Sequence, residues 1–534
     1  MARALAAAIV ISLLAVSGAG GAGAQTPRRG GTVVYVAGSE PTCLNVFIGT
    51  CTVIAGWGVP ELVLKGAFSF APGNTLRPQL VSNVEYTRKA PFTLTYHIRP
   101  EAHWSDGVQI SARDFVFTHQ AFRKYPENDY DGDLQLTTVR SVRALNAKTV
   151  RVVLRARFAG WRTLFRGVLP RHVLAGEDLT SIWSDRIDNP KTGQPIGSGP
   201  FLVGAWERGK QLTLVRNERY WGPHPAYLER IVLRSLSPAE DLGRGEFDIL
   251  WAPVFPQQDY PRLPGFGRSF RPGLTFQHLE IRVGPGGHSA LRGKQGKLVR
   301  RALAYGINRA GIVRALFGEI DPKRRPLDSN VFLAQSPFYR PNWHSYGFRP
   351  REARRLLEQS GCRRSADGIY VCKGQQLSLS LFTTAGNMAR ERIVQLVQAQ
   401  LRRAGIEVIP AYAPAVTLFD QILPSGNWDL ALFGYAYGPD PYGRDDYFGC
   451  GGSDNWTGYC QRLVTRDLDQ ADRILDRAQQ ARILNRADAQ MARDVPVIPL
   501  LQGLLAVYVR SNVRNFFMSF PGDYWKAENW WVAG

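Results

Sequence analysis

The chain has 534 residues, of which 44% are hydrophobic and 21% charged, and its formal net charge is +21. This length predicts two or three domains, and this composition is ordinary for a globular protein, which argues against a disordered or fibrous chain. No apolar run beyond the N-terminus approaches the ~20 residues that a membrane-spanning helix needs. The arginines are spread along the chain without a basic tail, so a basic surface in peripheral contact with lipid headgroups is favoured over nucleic-acid binding.

The first 24 residues are typical of a secretory signal peptide. Arg3 precedes an apolar run from Ala4 to Val16, and Ala22-Gly23-Ala24 fits a small-x-small cleavage site before Gln25. An uncleaved membrane anchor is the alternative, but the apolar run is short for one. No cysteine stands at the cleavage site. We therefore expect an exported protein that is free in the periplasm or associated with the cell envelope.

The mature chain alternates between strand and helix signals, which predicts a mixed α/β fold. Strands are predicted at residues 28–38, 92–100, 149–158, 211–221 and 406–410. Helices are predicted after the N-cap residue Ser111 and at residues 298–318, 350–361 and 388–404, and a glycine-rich loop at residues 284–297. The last helix and the strand that follows it suggest a βαβ unit.

Six cysteines fall into three close pairs. Together with the export signal, their even number and local spacing favour the disulfides Cys43–Cys51, Cys362–Cys372 and Cys450–Cys460. Fifteen pairings are formally possible, and the argument is weakest for Cys43–Cys51. A zinc cluster is disfavoured because the chain has no C-x-x-C and no histidine beside these cysteines.

Six stretches resemble, in family order, the extracytoplasmic solute-binding proteins of ABC transporters, family 5, the peptide and nickel group. Among them, "WSDG" precedes a predicted helix, "GSGPF" precedes the N-x-x-Y-W strand, and "VRRALAYGINR" matches a characteristic helix of the family. The six stretches are residues 92–118, 195–222, 298–319, 349–361, 427–442 and 495–501. They extend over almost the whole mature chain.

This resemblance implies an α/β protein of two lobes, in the type II peptide-binding cluster of periplasmic binding proteins, with strands that cross the hinge. Lobe I would take residues 25–271, with an inserted subdomain at about residues 60–190. Lobe II would take residues 272–502, and residues 503–534 would return to lobe I. A monomer without cofactor or metal would enclose a peptide or peptide-like solute and deliver it to the permease subunits of an ABC importer.

Eight residues are candidate ligand contacts. Aromatic rings bury much ligand surface, and Tyr435 lies where the family carries a pocket-wall Trp or Tyr. Other candidates lie at strand ends, where open α/β sheets place ligands, or in the Asp-Pro pair that follows Tyr435. The eight are Tyr435, Tyr437, Asp440, Trp456, Phe382, Thr383, Glu40 and Arg282.

The chain departs from the family pattern in two places. Peptide-binding members have an aspartate just after the aromatic residue, which pairs with the ligand's α-amino group, but here Tyr437 or Gly438 stands at that position. Arg282 stands near a usual asparagine, where its side chain would either face the cleft and attract an anion or point into solvent. We therefore hypothesise that the ligand is not a dipeptide with a free amino terminus.

Two other classes of function remain as alternatives, a secreted hydrolase and a receptor-like module that presents a ligand on the same fold. For the hydrolase, Gly197-Ser198-Gly199 lacks the G-x-S-x-G spacing of a nucleophile turn. Asp445 and Asp446 are adjacent, so their side chains are expected to diverge rather than to face each other across a bond. The histidines are scattered without an i, i+4 pair, which disfavours a metal site.

Overall fold

The computed structural model of the protein describes residues 26–45, 51, 58–72, 75–125, 137–254, 258–438, 441–517 and 524–534. The predicted signal peptide lies outside these residues. Among the helices of the described residues, none has the length and apolar character required to cross a membrane.

Ten of the described strands form one mixed sheet. In spatial order they are β17 (Glu407–Ala413), β16 (Ser378–Thr384), β18 (Leu430–Ala436), β12 (Phe266–Ile281), β19 (Val497–Arg510), β11 (Ile249–Pro253), β1 (Thr32–Ala37), β10 (Arg230–Arg234), β9 (Gln211–Arg216) and β8 (Phe201–Glu207). The strands β16, β17 and β18 run parallel to one another, whereas β12 runs antiparallel to both β18 and β19.

The remaining described strands form small sheets. A four-stranded antiparallel sheet contains β4 (Val81–Tyr86), β5 (Thr93–Ile98), β7 (Thr149–Leu154) and β6 (Val139–Asn146). The other strands are β2 (Phe68–Ala71), β3 (Thr75–Pro78), β13 (Arg363–Arg364), β14 (Tyr370–Cys372), β15 (Gln375–Gln376), β20 (Val513–Arg514) and β21 (Trp531–Val532).

Helices cover the sheets. The α-helices of the described residues are α1 (Val59–Leu62), α2 (Ala112–Lys124), α3 (Arg171–Leu174), α4 (Pro238–Arg244), α5 (Gly293–Gly306), α6 (Arg309–Phe317), α7 (Pro350–Gln359), α8 (Met388–Ala404), α9 (Ala415–Thr417), α10 (Leu423–Ser425), α11 (Arg444–Phe448), α12 (Arg462–Ala471) and α13 (Arg477–Asp494). Single turns of 3-10 helix occur at Trp161–Thr163, Ser289–Leu291 and Ala527–Asn529, and a π-helical turn at Leu418–Ile422.

Most of the predicted elements are confirmed, and one needs correction. Helix α2 begins after Ser111, whose hydroxyl accepts the Arg113 N–H in a capping box with Asp114. The stretch 298–318 is two helices and not one, because the Asn308 side chain accepts the Gly311 N–H at 2.8 Å and so caps a new helix, α6. Helix α5 also begins earlier than expected, within the predicted glycine-rich loop.

The buried hydrophobic residues form two cores. The first gathers side chains mainly from residues 33–251, including the fully buried Trp104 and Tyr96. The second gathers side chains mainly from residues 276–508, including Trp343 and Trp428. Strands β12 and β19, 16 and 14 residues long, pair with each other along their length. Strand β19 contributes side chains to both cores, whereas β12 contributes side chains to the second core.

The pairing of β12 with β19 is interrupted at its centre. Pro272 pairs with Leu504 and Phe276 with Gln502, so residues 273–275 stand opposite Gly503 alone. Side chains satisfy backbone carbonyls at this bulge: Gln502 Nε2 donates to the Gly273 oxygen at 2.6 Å. Arg324 Nη2 donates to the carbonyl oxygens of Gln502 and Gly503 at 2.6 and 3.1 Å. The two cores are thus joined by strands that bend at a defined point.

Three disulfides close short loops of the chain. They join Cys43 to Cys51, Cys362 to Cys372 and Cys450 to Cys460, which are the nearest-neighbour pairs. The third closes the loop that carries Trp456. Within this loop, Asn455 Nδ2 donates to the carbonyl oxygens of Gly449 and Tyr459 at 2.6 and 2.7 Å, so its backbone is held by a covalent bond and by hydrogen bonds.

The Gly197-Ser198-Gly199 turn has a structural role in the first core. Ser198 is fully buried, and its Oγ accepts the Lys65 N–H at 2.9 Å. A Cβ at Gly199 would lie 2.1 Å from the Leu62 carbonyl oxygen, so only glycine fits against this backbone. The hydroxyl is therefore part of the packing between two segments of backbone.

We predict that Gly199→Ala lowers the free energy of unfolding by about 1–3 kcal/mol, because the backbone of Leu62 must move to admit the methyl group. The control is Gly347→Ala, where no atom lies within 4 Å of the new Cβ, and its effect should stay within about 0.5 kcal/mol. Urea denaturation measures both effects. Equal unfolding free energies for the two variants would contradict the close contact at Gly199.

Candidate functional site

An aromatic and polar cluster lies where β12 and β18 leave the central bulge. Pairing in this ladder sets Phe276 opposite Tyr435 and His278 opposite Phe433, and directly paired residues project to the same face. Tyr437 follows β18, and its ring centroid lies 4.8 Å from that of Phe276. We call this set, with Glu280, Arg444 and Tyr447, the aromatic junction.

Tyr435 closes over two buried titratable groups of β12. Its hydroxyl donates to Glu280 Oε1 at 2.9 Å, and its ring stacks on the His278 ring at a centroid distance of 4.4 Å and an angle of 15°. Both His278 and Glu280 are fully buried. Burial lowers the pKa of His278 despite the nearby Glu280 carboxylate, and burial raises the pKa of Tyr435 well above its usual range. The imidazole is therefore neutral at neutral pH and the phenol keeps its proton.

Tyr437 and Arg444 form the second part of the junction. The Tyr437 hydroxyl donates to the Asn330 carbonyl oxygen at 2.6 Å, and the guanidinium carbon of Arg444 lies 3.3 Å from the Tyr437 ring centroid. Arg444 is only 5% exposed. One of its terminal nitrogens donates to the Tyr442 carbonyl oxygen at 3.2 Å, but its Nε has no hydrogen-bond partner among the described residues. Sequence reasoning missed this residue, because no signal local in the sequence marks Arg444 as buried.

Two other predicted contacts present aromatic surface near the junction. Trp456 is half-buried and lies 5.5 Å from the Phe433 ring and 5.8 Å from the Phe419 ring, between centroids. Phe382, in β16, is half-buried against the second core. Both side chains therefore keep part of their surface available for contact.

Three predicted contacts are engaged in internal hydrogen bonds, and their role as ligand contacts stays a prediction. Arg282 Nε donates to the Pro285 carbonyl oxygen at 2.9 Å, and its Nη1 donates to the Trp456 carbonyl oxygen. Thr383 is fully buried, and its hydroxyl donates to the Leu432 carbonyl oxygen at 2.7 Å. Glu40 Oε1 accepts the Trp206 indole N–H at 2.9 Å and the Gly209 N–H at 2.8 Å. The remaining prediction, Asp440, lies outside the described residues.

Glycines explain why Arg282 turns inward. A Cβ at Gly426 would lie 2.5 Å from Arg282 Nη2, and a Cβ at Gly287 would lie 2.8 Å from its Cγ. The guanidinium thus occupies a space that larger residues would fill, and its donors tie the end of β12 to the Trp456 loop. Desolvation lowers the pKa of Arg282, with Glu280 acting in the opposite direction.

The two cores also touch beyond the crossing strands. The rings of Phe158, from the first core, and Tyr442, beside the junction, meet edge to face at 5.1 Å between centroids. The Ala159 N–H donates to the Asp472 carbonyl oxygen at 2.7 Å. A Cβ at Gly160 would lie 2.5 Å from the Tyr442 ring, so this approach requires glycine. We call these residues the bridging contact, and it closes one side of the junction.

Comparisons with known proteins agree along most of the chain. Residues 75–455 match the family model described as bacterial extracellular solute-binding proteins, family 5 Middle. The oligopeptide-binding protein OppA of Mycobacterium tuberculosis (strain ATCC 25618 / H37Rv) is 26% identical over 472 residues, which cover 85% of this chain and 77% of OppA.

Two solved structures are similar to this one in fold. The periplasmic EDTA-binding protein EppA matches with a TM-score of 0.82 at 20% identity, over 96% of this chain and 98% of EppA. The oligopeptide-binding protein AppA of Bacillus subtilis, solved in complex with a nonapeptide, matches with a TM-score of 0.75 at 21% identity, over 95% of this chain and 100% of AppA. The described architecture is therefore that of two-lobed binding proteins.

The bridging contact contains a carboxyl group with an altered proton affinity. Burial, with Asp445 and Asp446 nearby, raises the pKa of Asp472 to about 7, although the Gly443 N–H and Arg444 favour its ionised form. The unfolded chain would ionise this group near pH ~4. Between these two pKa values the folded protein keeps the Asp472 proton, which the unfolded chain has lost. The stabilisation that the protonated Asp472 provides is therefore present at low pH and is lost as the pH rises through 7.

We predict that the wild-type protein loses stability relative to Asp472→Asn as the pH rises from about 4 to 7, by up to about 1.4 kcal/mol per pH unit. The asparagine keeps an oxygen that can accept the Gly443 N–H. Denaturant titrations at a series of pH values measure the difference. The control is Asp259→Asn, which changes an exposed carboxylate and should retain the wild-type pH dependence. Parallel stability curves for the wild type and Asp472→Asn would contradict this assignment.

Proposed function

Because the chain belongs to family 5 of the bacterial extracellular solute-binding proteins, we propose that it captures a peptide or peptide-like small solute and delivers it to the permease subunits of an ABC importer. Relatives that match most of the chain are named oligopeptide-binding proteins. EppA, one of the two similar structures described above, is named as an EDTA-binding protein. Peptides and EDTA both carry carboxylates. The proposed ligand class is therefore a small solute with at least one carboxylate.

In this proposal the two cores are the two lobes, and the ligand lies between them. Residues 25–271 and 503–534 belong to lobe I, and residues 272–502 to lobe II. The bulge between Pro272 and Phe276, opposite Gly503, supports a hinge at these bounds, because a few backbone residues can absorb the motion of lobes that otherwise move as rigid bodies. The bridging contact forms when the lobes close.

The observation that carries the proposal is the buried guanidinium of Arg444. A buried cation is unfavourable unless an anion or hydrogen-bond acceptors compensate it. Arg444 stacks on Tyr437 but forms no ion pair among the described residues, and its Nε is without an acceptor there. A ligand carboxylate beside Tyr437 would supply both the charge and the acceptor. In this proposal Arg444, and not Arg282 as the sequence suggested, is the residue that recognises the anionic group of the ligand.

The aromatic residues supply the rest of the proposed ligand surface. Tyr435 and Tyr437 form one wall at the end of β18, and Trp456 and Phe382 lie on neighbouring segments. Trp456 is held by the loop that Cys450 and Cys460 close, so its ring is positioned before the ligand arrives. Asp440 stays a candidate contact from the sequence.

We predict that carboxylate recognition outweighs amine recognition in ligand binding. Calorimetry compares one peptide in three forms, unmodified, N-acetylated and C-amidated. The N-acetylated form should bind within about threefold of the unmodified form, because the position just after Tyr435 lacks the aspartate that would pair with an ammonium group. The C-amidated form should bind at least roughly tenfold more weakly. General tight binding of dipeptides that N-acetylation abolishes would contradict the proposal.

A second prediction concerns Arg444 itself. Arg444→Gln should weaken binding of the carboxylate form roughly tenfold to a hundredfold and leave binding of the amidated form nearly unchanged, because the variant loses only the charge-assisted bond. The control is Arg392→Gln, which removes an exposed charge on α8. If Arg444→Gln weakens both forms equally, the residue acts through folding and not through the carboxylate. The unfolding temperature, measured without ligand, separates the two cases.

A further inference from the structure

A crevice of about 410 Å³ opens on the helical side of the second core. One wall is helix α5, from which Lys297, Arg301 and Tyr305 project at four-residue spacing and so lie on one face. The facing wall is helix α13, which contributes Arg493 next to the small side chain of Ala492. The residues that line this basic crevice take no part in the aromatic junction.

Three cations line the basic crevice, and no acid is among its lining residues. Lys297 pairs with Asp494 Oδ1 at 2.7 Å. Arg493 instead donates to the Gln490 side-chain oxygen, which is a neutral partner. Arg301 forms no ion pair with a carboxylate within the described part of the chain, and its Nε is buried without an acceptor. Two of the three positive charges therefore lack an anion.

The nearby carboxylates do not neutralise this set, because Glu352, which acts electrostatically on Arg301 and Arg349, is itself paired with Arg355 at 2.5 Å. The second oxygen of Asp494 accepts the Tyr459 hydroxyl and the Gln490 amide, both at 2.8 Å, so this group is directed toward the protein interior. At the rim, the Arg349 guanidinium lies 5.4 Å from the Tyr305 ring centroid and adds a fourth cation. Like charges gathered in this way repel one another, and a bound anion removes that repulsion.

Contacts between its walls hold the shape of the crevice, and one of them is a side-chain hydrogen bond between Arg301 and Tyr346. The Tyr346 hydroxyl donates to the Ala492 carbonyl oxygen at 2.7 Å, which ties the segment beside the crevice to α13. The rings of Tyr305 and Tyr346 lie 4.9 Å apart between centroids. The walls are thus fixed by packing and backbone hydrogen bonds, so binding an anion requires little reordering of the side chains.

We propose that the basic crevice binds a phosphate group, either as a soluble phosphate ester or as the headgroup of an anionic phospholipid. Guanidinium groups bind phosphate oxygens through paired N–H donors, and several cations around one site match a group that carries up to two negative charges. The volume exceeds what a lone oxyanion fills and leaves room for the alcohol part of an ester. The site is separate from the ligand cleft of the proposed importer function.

The first experiment titrates inorganic phosphate and glycerol phosphate into the full mature chain and measures binding by calorimetry. The double variant Arg301→Gln with Arg493→Gln, called the crevice variant, should bind phosphate at least roughly tenfold more weakly, because each arginine supplies charge-assisted hydrogen bonds. The matched control, Arg314→Gln with Arg392→Gln, removes two exposed charges elsewhere on the same core and should change the affinity less than about twofold. Phosphate should raise the unfolding temperature of the wild type and of the control, but not of the crevice variant.

The second experiment separates the two sources of phosphate. Flotation with vesicles of phosphatidylglycerol and phosphatidylcholine compares the crevice variant with the control, which has the same net charge. Loss of vesicle binding in the crevice variant alone identifies a lipid headgroup, and binding of free phosphate without such a difference identifies a soluble ester. If the crevice variant and the control behave alike in both experiments, the proposal is overturned, whatever the peptide affinity of the protein.

Discussion

The antiparallel pairing of β12 with β19 is the interaction on which the rest of the structure depends. Strand β19 contributes to both cores and β12 packs in the second core, so one ladder of backbone hydrogen bonds fixes how the two halves of the chain are related. The ladder is interrupted where residues 273–275 face Gly503, and its register shifts again between Gln277 and His278. Gln502 and Arg324 satisfy the carbonyl oxygens that the interruption exposes. The strands therefore bend there without leaving buried polar groups unpaired, which is the condition for a hinge inside a sheet.

The aromatic junction follows from the same ladder. Because β18 pairs with β12 directly beyond the bulge, Tyr435 lies over His278 and Glu280, and Tyr437 lies beside Phe276. The position of each ring is set by strand register, which is more rigid than a loop. Sequence comparison with a family locates the aromatic residues, while the register determines which partners they face.

Signals that are local in sequence predicted the local structure well. The helix Met388–Ala404 is found as expected because its apolar stripe, its N-cap Asn387 and its C-terminal Gly405 all lie within it. The division at Asn308 was missed, since apolar spacing continues on both sides of the cap. The internal hydrogen bonds of Thr383 and Arg282 could not be predicted for a different reason: whether a polar side chain meets an internal carbonyl oxygen depends on segments far away in the chain. Arg444 was missed because its burial depends on such distant packing.

The basic composition also has an internal explanation. Several arginines hold the fold together through backbone carbonyl oxygens, because the guanidinium has five donors and keeps its charge. Arg309, for example, is 4% exposed and donates to carbonyl oxygens of Leu327, Pro499, Trp343 and Tyr346. Part of the net charge of +21 is therefore structural, and a count of basic residues overstates the charge that is exposed to partners.

The central hydrogen bond of the bridging contact joins two main-chain groups, the Ala159 N–H and the Asp472 carbonyl oxygen. Any residue except proline supplies that donor, and any residue supplies that acceptor. Mutations that reshape the ligand cleft can therefore accumulate during evolution without weakening this bond. Closure and specificity are in this way separable traits, so the protein can be redesigned for a new solute while the bond that joins its halves stays the same.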